Sequence, residues 1–183
     1  MITDFLLDHS TLVPVGLLVI AFVCVGVGYL MLRSRRYGRR ITWGLLVLSV
    51  LPVFALTLVP SLGSGGHYAV CTLQFSVPTL TRVELLANVA LFAPPVFFAT
   101  LATRRPLLML ATGSGLSAAI EAVQALVPAI GRACDTNDWM MNTIGSVIGV
   151  LLACGTIALA NRMAVTKAGD LRAGSLPGDR SRM

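Results

Sequence analysis

Glu121 stands in an apolar run, and polar residues gather around it at helical spacing. Ser117, Glu121 and Gln124 lie at i, i+4 and i+7, Glu84 and Asn88 at i and i+4, and Asp138 and Asn142 at i and i+4, with Arg132 and Asp135 just before the last pair. Such spacings put each set on one face of a helix. Four carboxyls near one or two arginines can serve a divalent cation, a general acid/base pair, or recognition of a cationic headgroup or drug amine. For an acid/base pair the candidates are Glu121 and Asp138, with Arg132 placed to hold a phosphate. For a binding site, Glu84, Asn88, Ser117, Gln124, Arg132, Asp135 and Asn142 are the ligand-binding candidates, and spacing leaves these chemistries open. The plainest role for Asn88, Ser117, Gln124 and Asn142 is hydrogen bonding between helices, worth about 0.6 kcal/mol each.

Other chemistries find no residues. His9 and His67 are isolated, and no His or Cys cluster has transition-metal spacing, so no zinc or other transition-metal site is expected. There is no P-loop, no G-x-G-x-x-G and no G-x-S-x-G, which removes support for nucleotide use or a serine hydrolase. No cofactor is legible.

The elements that position these residues follow from composition. Of 183 residues, 56% are apolar and 12% charged, with a mean hydropathy of +0.83. A soluble domain of this size cannot bury so much apolar surface. Five runs are long enough to cross a hydrocarbon core of about 30 Å: Thr11–Leu32, Ile41–Leu62, Val83–Thr103, Pro106–Val127 and Trp139–Ala160. Continuous apolar runs without strand alternation select helices. The fold class is therefore all-α, an integral membrane bundle of five transmembrane helices.

Net charge of +6 does not point to nucleic acid, because the basic residues cluster between apolar runs instead of lining a face. They act as topology signals. Arg33, Arg35, Arg36, Arg39, Arg40, Arg104, Arg105, Arg162, Lys167, Arg172, Arg180 and Arg182 fall on one side, leaving Arg82 and Arg132 on the other. This places the N-terminus outside and the C-terminus in the cytoplasm. The first run is too long and lacks the basic flank of a cleavable signal, so it is expected to stay as a helix.

In that orientation the polar set shares the outer leaflet, with Glu121 about 10 Å and Asn88 and Asn142 about 6 Å below the boundary, from the helical rise. A carboxyl at Glu121's depth needs a partner or a proton, and Arg132 is the candidate partner. A polar cavity lined by spans three, four and five is expected. Cys71 and Cys134 fall in the two external loops, on the oxidising side, where a disulfide is expected. Cys24 and Cys154 lie within spans one and five as small apolar residues.

The chain divides into residues 1–82, two helices with a basic cytoplasmic loop and an external loop; 83–160, a three-helix core carrying the polar cluster; and 161–183, a basic tail with little to bury, expected to be disordered. Gly145, Gly149 and Ala153 form a small-residue stripe suited to close packing within the bundle. Pro94 and Pro95 remove two backbone donors in span three and are expected to bend it.

Three blocks resemble the VanZ-like family of bacterial membrane proteins: Glu84-x3-Asn88 leading to Leu91-Phe92-x-Pro94; Ser117-x2-Ile120-Glu121-x2-Gln124; and Arg132-x2-Asp135-x2-Asp138-x3-Asn142-Thr143-x-Gly145-x3-Gly149. The chain departs from the family's pattern at Pro95 and Val96, where a Gly commonly stands two residues after Pro94. The resemblance implies a multi-pass protein of the bacterial cell membrane, and the family's namesake is an accessory glycopeptide-resistance protein associated with teicoplanin. The first reading of function is a binding protein whose outer-leaflet cavity recognises a membrane lipid, through its tail or headgroup, or the acyl chain of a lipid-linked ligand. The alternative is an enzyme acting on a lipid-linked cell-wall precursor or phospholipid through Glu121 and Asp138. Transport is disfavoured, because no inverted repeat is evident and the cytoplasmic halves of spans three to five carry no charge.

Overall fold

The structure, a computed structural model, describes residues 12–34, 37–58, 71–73, 83–130 and 134–173. Five helices account for most of them: α1 Leu12–Arg33, α2 Gly38–Leu58, α3 Val83–Thr103, α4 Pro106–Leu126 and α5 Thr136–Ala173, with a short 3-10 turn at Pro128–Ile130. All five are long and apolar enough to cross a membrane. Among the described residues there is no strand, only an isolated bridge between Thr72 and Asp135.

The helix ends have local causes. Between α3 and α4 the chain reverses in two residues: Arg104 adopts a left-handed φ of 59°, its N–H closes on Thr100 O at 2.9 Å, and Pro106 opens α4 where a missing N–H costs nothing. Asp135 caps α5, its Oδ1 accepting the N–H of Asn137 at 2.8 Å. α2 begins at Gly38 and is described to Leu58, and the remainder of the run expected to reach Leu62 lies outside the described residues. α3 continues through Pro94 and Pro95 without interruption.

α5 differs most from expectation. It continues to Ala173, thirteen residues past Ala160, where the sequence reading placed a disordered tail. Residues 161–173 contain no proline and are mostly Ala, Leu, Met, Arg and Lys, which favour helix. At 38 residues the helix measures about 57 Å, nearly twice the hydrocarbon thickness, so one end projects beyond it.

α3 is the hub. Its spanning segment is 61% buried, against 11% for α1, and it touches every other helix, α5 most extensively. Glycine makes that contact possible: a Cβ on Gly145 would sit 2.5 Å from Val89 O, and one on Gly149 would collide with Ala93 O. Backbone thus packs on backbone, and the stripe ends at the fully buried Ala153. On α4, Gly113 abuts Ser146 and Val96 in the same way. Phe97, Phe98, Leu101, Cys24 and Ala153 fill the space between α1, α3 and α5; Val53, Phe92 and Ile120 fill that between α2, α3 and α4. α2 and α4 themselves barely touch.

A disulfide joins Cys71 to Cys134 across 63 residues, with Cα atoms 4.6 Å apart. Around it, Thr72 N–H donates to Cys134 O at 2.9 Å and Thr136 N–H to Thr72 O at 3.2 Å. The segment between α2 and α3 is thereby tied to the start of α5. Arg33, Arg39, Arg104, Arg105 and Arg162 lie at the opposite end of the bundle, where α1 and α3 finish and α2 and α4 begin.

Candidate functional site

At the disulfide end, four helices leave a cavity of about 190 Å³ whose polar lining is Asn88 from α3, Glu121 and Gln124 from α4, Asp138 and Asn142 from α5, and Thr57 from α2. Leu56, Ala87 and Leu91 also line it among the described residues. Below lies the apolar cluster of Val53, Phe92 and Ile120, all 3% exposed or less. The buried hydroxyls deeper in the bundle, Thr100 and Thr156, each bond to a carbonyl one turn back in their own helix. They present nothing to a ligand.

The Thr57 hydroxyl bonds to Val53 O in its own helix, and the other polar side chains of the lining are each held by a partner on another segment. Glu121 Oε2 accepts the backbone N–H of Asp135 at 2.8 Å, so α4 is fastened to the capping residue of α5. Asn88 Nδ2 donates to Asp138 Oδ1 at 2.7 Å, joining α3 to α5. Asn142 Nδ2 donates to Ser117 Oγ at 2.9 Å, joining α5 to α4. Gln124 Nε2 donates to Thr57 O at 2.9 Å, a carbonyl near the described end of α2. That bond bridges α2 and α4 where they otherwise barely meet.

Among the described residues one buried side-chain atom is not satisfied. Asn142 is 3% exposed, and its Oδ1 is buried without a hydrogen-bond partner, which costs about 1–3 kcal/mol unless something donates to it. Among the described residues no group of three His, Cys, Asp or Glu side chains could hold a metal ion.

The sequence-derived candidates Asn88, Ser117, Glu121, Gln124, Asp138 and Asn142 therefore meet at one end of the bundle, with Asp135 joined through its backbone. Arg132 and the side chain of Glu84 lie outside the described residues. The sequence reading confined the cavity to spans three to five; α2 also lines it, through Leu56 and Thr57. Thr57 acts through its main chain, and no side-chain pattern announces a carbonyl. Ser114, Thr143 and Trp139 form a second small set on the α4–α5 contact, Ser114 and Thr143 lying 3.0 Å apart and Trp139 Nε1 donating to Ser114 O at 3.3 Å.

The family model VanZ/LLP1 matches residues 20–159, about three quarters of the chain. The chain belongs to the VanZ/LLP1 family. The match takes in most of α1 and all of α2, beyond the three polar blocks between Glu84 and Gly149. The cavity of this VanZ/LLP1 protein thus lies wholly inside the family region, α2's contribution included. Comparison with curated proteins and with solved structures found no match.

Proposed function

We propose that this VanZ/LLP1 protein is a multi-pass protein of a bacterial cell membrane that binds a lipid or lipidated ligand. The polar part of the ligand occupies the cavity around Glu121, and its apolar part leaves between α2 and α4. The cavity opens to the outer leaflet, with the N-terminus outside and the basic end of the bundle in the cytoplasm, as the charge distribution favours.

The observation that carries this reading is a half-polar cavity set against an apolar floor, in a seam where two helices barely touch. A soluble ligand needs no lateral opening into lipid, whereas a lipid does. Size narrows the ligand: about 190 Å³ is below the roughly 300–1,000 Å³ of sites for drug-sized molecules. A headgroup or one substituent enters, and the body of a glycopeptide stays outside. Contribution to teicoplanin-type resistance then works through the lipid or the drug's acyl chain.

A second reading draws on Glu121 and Asp138 lining the same cavity: a membrane enzyme using them as acid and base on a lipid-linked cell-wall precursor or phospholipid. One experiment addresses both. Teicoplanin and vancomycin susceptibility is measured in a sensitive Gram-positive host expressing wild type or Glu121→Gln, with membrane abundance checked by immunoblot. Selective protection against teicoplanin, lost in equally abundant Glu121→Gln, supports a functional cavity. No protection by abundant wild type removes the resistance role, and an accumulated or depleted lipid in the same strains favours the enzyme.

A further inference from the structure

α3 borders a second recess on another of its faces. Beside Val89, Ala93 and Phe97, α1 stands off from α3 and α5 and leaves a slot of about 370 Å³, with Leu152 of α5 on its third side. On α1 the wall is a stripe running through Pro14, Leu18, Ala21 and Cys24, residues three or four apart and so on one helical face. The slot shares no described lining residue with the cavity around Glu121. Among the described residues its lining is apolar throughout, the Cys24 thiol apart.

The shape of the slot selects its occupant. Pro14 to Cys24 covers about 15 Å of helical rise, half of a hydrocarbon core of about 30 Å. A volume of about 370 Å³ spread over that length is about 5 Å across, half the width of an α-helix. A helix from another chain is too thick to enter, whereas one acyl chain fits, with room for about a dozen methylenes at roughly the 30 Å³ of a water molecule each. The deep end is closed where α1 meets α3, since a Cβ on Gly28 would sit 2.7 Å from the Phe97 ring. Nearer the disulfide end the lining side chains of Ala21, Ala90 and Ala93 are small and leave the space open.

Sideways, the slot opens onto lipid. Leu18 and Ile20 line it while 60% and 37% exposed, and they are continuous with the exposed Val19, Phe22 and Val23 on a helix long and apolar enough to cross a membrane. The slot is thus an inlet of the surface that faces the bilayer. Surrounding tails are as apolar as its walls, so no hydrophobic force draws a chain in. Packing does, because an unfilled slot forfeits the dispersion contacts of its lining.

We infer that this slot is a second lipid site, which holds one acyl chain of a phospholipid from the leaflet at the disulfide end and is indifferent to the headgroup. It goes beyond the reading given for the Glu121 cavity and does not depend on it.

Photolabelling tests this on delipidated full-length protein reconstituted in phosphatidylcholine vesicles, with a small fraction of phosphatidylcholine bearing a diazirine at the end of one chain. Labelled residues are identified by mass spectrometry. Random contact with bulk lipid follows exposure and favours Leu48, in the middle of α2 and 63% exposed, over Cys24, which is 7% exposed. The slot predicts the reverse, about fivefold or more label at Cys24 than at Leu48, and the same ratio with a phosphatidylglycerol probe of identical chains. Ala90→Leu, which fills the slot from α3, is expected to remove the Cys24 label and spare that at Leu48; Ala21→Leu repeats the test from α1. Glu121→Gln is expected to change neither, so failure of the slot and failure of the cavity are read separately. Label at Cys24 no higher than at Leu48 in wild type would reduce the slot to bulk lipid and overturn the inference, whether or not the variants fold. A preference of about tenfold for one headgroup would overturn the chain-only site. A covalent dimer through Leu18→Cys, with Cys24 unlabelled, would assign the slot to a second copy and overturn it as well.

Discussion

Glu121 Oε2 accepts the backbone N–H of Asp135 at 2.8 Å, so one carboxyl both lines the cavity and secures the N-terminal cap of α5. Asp135 in turn abuts the disulfide-bonded Cys134 and is bridged to Thr72. Site and scaffold therefore share a residue, and substitutions there separate the two roles.

Glu121→Gln keeps an oxygen for the Asp135 N–H and removes the charge, whereas Glu121→Ala leaves that N–H without its acceptor. The expected result is near-wild-type abundance with lost ligand binding for Glu121→Gln. Glu121→Ala is expected to lose about 1–3 kcal/mol of stability as well. Unfolding midpoints in detergent, measured beside lipid binding, check both.

Gly145 and Gly149 give the opposite pattern, since their role is contact alone. Gly145→Ala and Gly149→Ala place a Cβ against the Val89 and Ala93 carbonyls, and backbone cannot turn aside as a side chain can. A loss of about 1–3 kcal/mol is expected. Gly155→Ala, on the same helix but facing open space, is expected to be neutral or stabilising by up to about 1 kcal/mol. Thermal midpoints of the three variants rank them.

The contrast shows what was legible in the sequence. Five apolar runs specify five helices because lipid offers the backbone no alternative, and the start of α4 follows from Pro106 without tertiary information. The spacing of Ser117, Glu121 and Gln124 puts them on one face, and that face does meet Asn88, Asp138 and Asn142. Contacts made by main chain were not legible: Glu121 meets the Asp135 N–H, and Gln124 meets the Thr57 carbonyl, and neither leaves a mark in residue type. The extension of α5 was missed because hydropathy ends a span where lipid ends, while helix propensity runs on through Arg162, Met163 and Lys167.

The disulfide closes a loop of 63 residues, so its removal is expected to destabilise the protein by about 2–5 kcal/mol. Cys134→Ser or Cys71→Ser should lower the unfolding midpoint, and wild type should shift on non-reducing gels where the variants do not. The same bond reports orientation. After reduction, a membrane-impermeant maleimide added to intact cells is expected to label Cys71 and Cys134; labelling only after lysis would reverse the proposed topology.

Gln124→Leu removes the bond to Thr57 O that bridges α2 and α4. A loss of about 0.5–1.5 kcal/mol in stability is expected, with faster lipid exchange because the seam opens more easily. Exchange of a fluorescent phospholipid from detergent micelles measures this, and an unchanged rate would place the entry elsewhere.

The most direct test of the account places a diazirine-bearing residue at position 56, at the cavity wall, or at position 151, where Leu151 is 65% exposed on the outer face of α5. Crosslinked lipids from living membranes are then identified by mass spectrometry. The account predicts one enriched lipid class at position 56 that disappears in Glu121→Gln, against a bulk-like mixture at position 151 that does not change. The same bulk mixture at both positions, insensitive to Glu121→Gln, would contradict it.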